Sequence, residues 1–140
     1  MTVVYYMQVC FLDVAIELVN ILKKHVDLHV LIEITPHGKN LTILEVENIP
    51  TDKTLVHPSE LLTRQSYDYL QSYFKGVASV HFVVHPHRTG LSYSTLQTNV
   101  RVWKYIKQFK PDVIHFETVG MRAIGMLPFL KAFKNVCITI

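Results

Sequence analysis

Apolar residues fall into short continuous runs separated by longer stretches of helical period. Val3-Val4-Tyr5-Tyr6-Met7 is apolar, β-branched and aromatic throughout, the pattern of a strand buried on both faces. Leu28 to Ile34, Ser79 to Val84, Val113 to Phe116 and Val136 to Ile140 read the same way. Between them, residues 12–24 predict a helix. Its polar positions Asp13, Glu17, Asn20 and Lys24 make one narrow stripe, so burial on most other sides is expected. Pro58 suits a first helical position and Gly76 a stop, which predicts a helix from 58 to about 75. Residues 93–109 predict another, with Leu96, Val100, Trp103, Ile106 and Phe109 on the inner side and Gln97, Arg101, Lys104 and Gln108 outside. Met121 to Lys134 predicts a helix broken near Pro128. The stretch 35–54 carries Pro36, Gly38, Asn40, Asn48 and Pro50, with room for one short strand at Thr42–Val46.

Strands that alternate with helices imply an α/β fold: a Rossmann-like three-layer αβα arrangement on a mainly parallel sheet, with Val3–Met7 central between Leu28–Ile34 and Val113–Phe116. Right-handed crossovers bring every strand-to-helix loop to one edge, where ligands of such folds bind. Those loops are 7–11, 35–41, 85–92 and 117–121. The pattern stops at Ile140, inside a predicted strand, which suggests a chain truncated from a longer protein.

The 140 residues fit one domain, 1–140. With 49% hydrophobic and 18% charged residues the chain is globular in composition. Net charge is +3, unevenly placed: residues 101–140 hold seven Lys/Arg against Asp112 and Glu117. Such an end is either a solvated helix face or a surface for phosphate or anionic lipid. The first apolar stretch is interrupted by Gln8, Asp13 and Glu17. It suits neither a secretory signal nor a membrane span, so a cytoplasmic protein with reduced thiols is expected. Cys10 and Cys137 are then expected in the core.

Met7-Gln8-Val9-Cys10-Phe11 contains no glycine, which argues against a dinucleotide-binding turn and a phosphate-cradling NTPase loop. His81, His85 and His87 would share one side of an extended strand, but Pro86 turns the chain and no Cys or carboxylate lies nearby, so no metal is expected. No nucleophile elbow is present. Trp103 and Phe109 suit core positions better than a base-stacking platform, and nucleic acid is not an expected partner.

Lys110-Pro111-Asp112-Val113-Ile114-His115 resembles the entry to a central strand in the N-terminal domain of GT-B glycosyltransferases. The closest group is the retaining, glycogen-synthase-like, family 4-like one. A basic helix before it, a glycine-containing loop after it, Leu127-Pro128-Phe129-Leu130-Lys131 and the Val136 to Thr139 strand follow the same order. The glycine pair common in that group's first loop is missing, and Glu117 stands where its second histidine would be. The resemblance implies the acceptor-side half of an enzyme that moves a hexosyl group from a nucleotide-sugar to a glycan or lipid-linked acceptor. It implies no metal or other cofactor, and the donor-binding second domain is not among these 140 residues. The fragment alone is then expected to be inactive. Cleft-lining residues implied are His85, His87 and Arg88 in one loop and Glu117, Thr118 and Gly120 in another; catalytic residues are not assigned. The basic end adds peripheral contact with the inner face of the plasma membrane as an expectation. The alternative is a non-catalytic Rossmann-like module that binds a ligand or a protein, since one fold serves many functions.

Overall fold

A computed structural model describes residues 1–36, 44, 46, 49–85, 93–117, 126, 128–129, 131, 133 and 135–139. Strand β1 (Thr2–Gln8) leads through a 3-10 turn (Val9–Phe11) into α1 (Leu12–Leu22) and β2 (Asp27–Ile34). Then come β3 (Leu55–Val56), α2 (Pro58–Leu61), α3 (Arg64–Phe74), β4 (Ser79–Val84), α4 (Tyr93–Gln108), β5 (Val113–Glu117) and β6 (Val136–Thr139). The strands form one sheet in the order β3-β4-β2-β1-β5-β6. All pairs are parallel except β3 with β4. β1 is central, with Tyr5 opposite Val30 of β2 on one side and His115 of β5 on the other. The fold is therefore the expected Rossmann-like three-layer α/β arrangement.

Side chains alternate across the strands, so the sheet has two cores. On one face Val3, Tyr5, Met7, Val30, Ile32, Ile34, Phe82 and Val84 pack against α1, α2 and α3 through Leu12, Ala15, Val19, Leu61, Leu70 and Phe74. On the other, Val4, Tyr6, Leu31, Val83, Ile114 and Phe116 pack against Val102 and Ile106 of α4. Fully burying side chains such as Phe82 and Phe116 stabilises the fold by roughly 1.5–3 kcal/mol each.

Several expectations need correction. The turn after β1 is shorter than 7–11, because Met7 and Gln8 belong to the strand. The helix beginning at Pro58 breaks at Leu62, whose backbone is extended. Two capped helices result: the His57 ring nitrogen accepts from the Ser59 backbone N–H (3.3 Å), and Thr63 Oγ1 accepts from that of Ser66 (3.3 Å). Gly76, at φ 88°, ends the second, because only glycine enters that region without a steric cost. The strand placed at Thr42–Val46 is represented among the described residues by an isolated bridge from Val46 to Leu62. Two-residue β3 gave no periodic signal. On α1, Val14 and Ile21 are 69% and 58% exposed, so the helix is apolar on one flank that faces solvent. Cys10 and Cys137 are exposed as well: one follows β1 in the 3-10 turn and the other lies on the edge strand β6. The helix expected at Met121–Lys134 lies largely outside the described residues, of which Met126, Pro128 and Phe129 are helical.

Candidate functional site

Parallel pairing brings the C-terminal ends of β1, β2, β4, β5 and β6 to one edge, and two polar clusters sit there. Tyr5 and Tyr6 are adjacent in β1, so one phenol goes to each face of the sheet.

On the α1 side, the Tyr5 hydroxyl donates to Glu117 Oε2. The His115 ring lies 4.7 Å from the Tyr5 ring, and its Nε2 is 3.6 Å from the same carboxylate oxygen. Nε2 also sits 2.7 Å from Thr139 Oγ1, contributed by β6. A neutral ring protonated at Nε2 satisfies both neighbours, with its N–H between a hydroxyl and a carboxylate. Burial pushes the Tyr5 phenol well above its ordinary range, and the hydrogen bond and negative charge of Glu117 push the same way. Burial also lowers the His115 pKa, opposed by the Glu117 charge. The result is a carboxyl group only 12% exposed, held in place by a phenol and flanked by a neutral imidazole. Such a group accepts hydrogen bonds from hydroxyl-bearing ligands and orients them.

On the α4 side, the Tyr6 hydroxyl donates to Glu33 Oε2 at 2.7 Å, and Glu33 is 3% exposed. α4 follows β4, so its first half lies toward the same edge. That half buries Thr95, Thr98 and Asn99, whereas Leu96 is 50% exposed. The inner face of α4 is therefore rotated from the one the apolar spacing predicts, and it changes from polar to apolar along the helix. Arg101 is tied down as well, donating to Thr54 Oγ1 (3.0 Å).

Of the predicted site residues, Glu117 closes β5 as its last residue. His85 follows β4, is 2% exposed, and donates its backbone N–H to the Ile34 carbonyl (2.8 Å), which continues the ladder with β2. His85 and Glu117 share an edge but stand three strand spacings apart, about 14 Å. His87, Arg88, Thr118 and Gly120 lie outside the described residues. His81 points to α4, where its Nδ1 is 2.9 Å from the Tyr105 hydroxyl. No group of three metal-ligating side chains occurs among the described residues.

Sequence reasoning passed over Tyr5, Tyr6, Glu33, His115 and Thr139. A signal existed for two of them. Glu33 is the one charged residue inside the apolar run Leu28–Ile34, and a buried acid needs a partner. His115 interrupts the β5 run in the same way.

Among the described residues no helix is long and apolar enough to cross a membrane. No protein-family model and no curated protein sequence matches the chain. Two crystal structures of the C-terminal domain of a hydrogenase from Pyrococcus furiosus resemble it in fold. Their TM-scores are 0.59 and 0.54, at 7% and 8% identity, and each covers 99% of this chain and 90% of the other. At that identity the likeness is one of architecture, and it places the chain among Rossmann-like three-layer α/β domains.

Proposed function

We propose that this chain is the acceptor-side domain of a nucleotide-sugar-dependent glycosyltransferase. The observation that carries the reading is β5. The segment Lys110 to His115, which resembles a glycosyltransferase strand entry, leads into β5, which pairs with central β1 from Val113 onward. It ends on a carboxyl group held by Tyr5 at the ligand-binding edge. In the proposed reaction an acceptor hydroxyl oxygen bonds to the donor's anomeric carbon as the bond to the diphosphate oxygen breaks. The hydroxyl proton passes to the departing diphosphate oxygen. Glu117 would accept a hydrogen bond from an acceptor hydroxyl and orient it, which favours the reaction through positioning.

A lipid-linked acceptor and contact with an anionic membrane surface fit the outer face of α4. Lys104 and Lys107 are exposed there, Lys110 follows, and the helix contains no acidic residue. Each basic residue near such a surface contributes about 1 kcal/mol, and salt weakens the attraction.

Binding to a panel of oligosaccharides and nucleotide-sugars, followed by NMR and calorimetry, tests the reading. Expected are shifts at Tyr5, His115 and Glu117 with at least one oligosaccharide, loss of that binding in Glu117→Gln, weak or absent nucleotide-sugar binding, and no sugar transfer. Tight nucleotide-sugar binding, or no response to any glycan, would overturn it. Cosedimentation with anionic vesicles that disappears at high salt would support the membrane contact; equal recovery with neutral vesicles would end it.

A further inference from the structure

The opposite edge of the sheet gathers a second group of titratable side chains that the proposed function does not use. His29 of β2 and His81 of β4 stand on the α4 face of neighbouring strands, two residues apart in register. The last turns of α4 rest on both. Phe109 stacks on the His29 ring with centroids 3.8 Å apart, and the Tyr105 hydroxyl meets His81 Nδ1 at 2.9 Å. Tyr105 and Phe109 also pack edge to face at 4.9 Å. From the far side, His57 brings its ring to 5.8 Å from that of His81. We propose that this histidine cluster is an acid-sensitive latch, which holds the C-terminal turns of α4 on the sheet while the rings are neutral and releases them on protonation.

The surroundings favour the neutral rings. Burial lowers the pKa of both His29 and His81. Charge on His57 or His29 lowers that of His81 further. The opposing groups are few. Asp27 lies 3.7 Å from His29 Nε2 and is 60% exposed. Glu60 acts on His81, but its carboxylate is engaged by Lys53 at 2.5 Å. Tyr105, the titratable group α4 sets against His81, is held neutral by burial, which raises its pKa. Tyr67 of α3 faces His57, at 6.2 Å between centroids. Charge on both His29 and His81 is disfavoured where they stand, beneath the end of α4 that covers them. Peeling back the last turns exposes the rings to water, where they take protons at the ordinary value near 6.5. The open form therefore gains on the closed form as pH falls below about 6.5.

Amide exchange read by NMR tests the latch, with protection factors corrected for intrinsic rates. From pH 7.5 to 5.5, protection at Tyr105 to Phe109 is expected to fall about tenfold or more, while β1 amides Val4 to Tyr6 change far less. In the double variant His29→Asn, His81→Gln the fall should vanish, because both replacements keep a polar group and neither titrates. Equal losses in α4 and β1, or undiminished protection at Tyr105 to Phe109, would overturn the proposal. Ring titrations of the unmodified protein give a second reading that needs no variant. His29 and His81 must both titrate below the ordinary imidazole value near 6.5, and either one titrating at or above it would equally overturn the latch.

Discussion

The two edges of the sheet solve the same problem in opposite ways. Both place polar side chains on strands that are otherwise apolar, and both use a tyrosine as hydrogen-bond partner. At the C-terminal edge the partners are carboxyl groups, Glu117 and Glu33, each receiving a phenol. At the N-terminal edge they are neutral rings, His29 and His81, covered by the aromatic end of α4. The carboxyl groups are oriented by the phenols that donate to them. Buried imidazoles hold their orientation only while neutral. Under the two proposals, one edge binds and the other responds to protons.

The largest expected effect comes from the deepest pair. Tyr6→Phe removes a donor from Glu33, which stays buried, and should lower unfolding free energy by about 2–3 kcal/mol in denaturant titrations. Tyr5→Phe should cost about 1–2 kcal/mol, because its partner is at the margin of the core. If the second cost exceeds the first, the α1-side cluster is the better insulated and the comparison reverses.

Acid comes next. In the folded protein His29, His81 and His115 all have lowered pKa values, so the folded state resists protonation. The unfolded rings take up protons below about 6.5, and stability should fall as pH drops from 7 to 5. The N-terminal edge should account for more of this than His115, because it holds two such rings. Comparing the acid limb of the Tm profile in His115→Gln and in His29→Asn, His81→Gln separates the contributions. A sharper probe of the same contrast is Glu117→Gln. It removes the charge that supports protonation of His115, so the His115 ring should titrate at lower pH while His29 is unmoved.

At high pH the edges should behave alike. Tyr5 and Tyr105 both have raised pKa values, so the folded state retains phenol protons that the unfolded chain loses above about 10. Stability should therefore decline as pH rises past that point, less so in Tyr5→Phe relative to its own stability at pH 8. The smallest effect is expected at exposed Cys137, where Cys137→Ser should change stability by less than about 0.5 kcal/mol.

The layer architecture was legible because β1, β2, β4 and β5 are continuous apolar runs, and only a strand buried on both faces tolerates that. α4 shows where periodicity fails. Its first half turns Thr95, Thr98 and Asn99 inward, so apolar spacing selected Leu96 for the core although it is half exposed. The break at Leu62 was hidden for a related reason: Thr63 serves as well inside a helix pattern as it does as a cap. Of the site, Glu117 was legible from its place after an apolar strand. Tyr5 was not, because a tyrosine within an apolar run reads as packing until the strand opposite supplies its partner.

The position of β1 also sets the order in which the molecule can be made. Its first partner, β2, begins at Asp27, but its second, β5, begins only at Val113. At ribosomal speeds of about 5–20 residues per second, the interval from Ile34 to Val113 lasts roughly 4–16 s. Throughout it, one edge of the most apolar strand has no neighbour, and contacts of such long sequence separation close slowly. Stalling before residue 117 has emerged is expected to leave that edge open as a template for strand-to-strand aggregation.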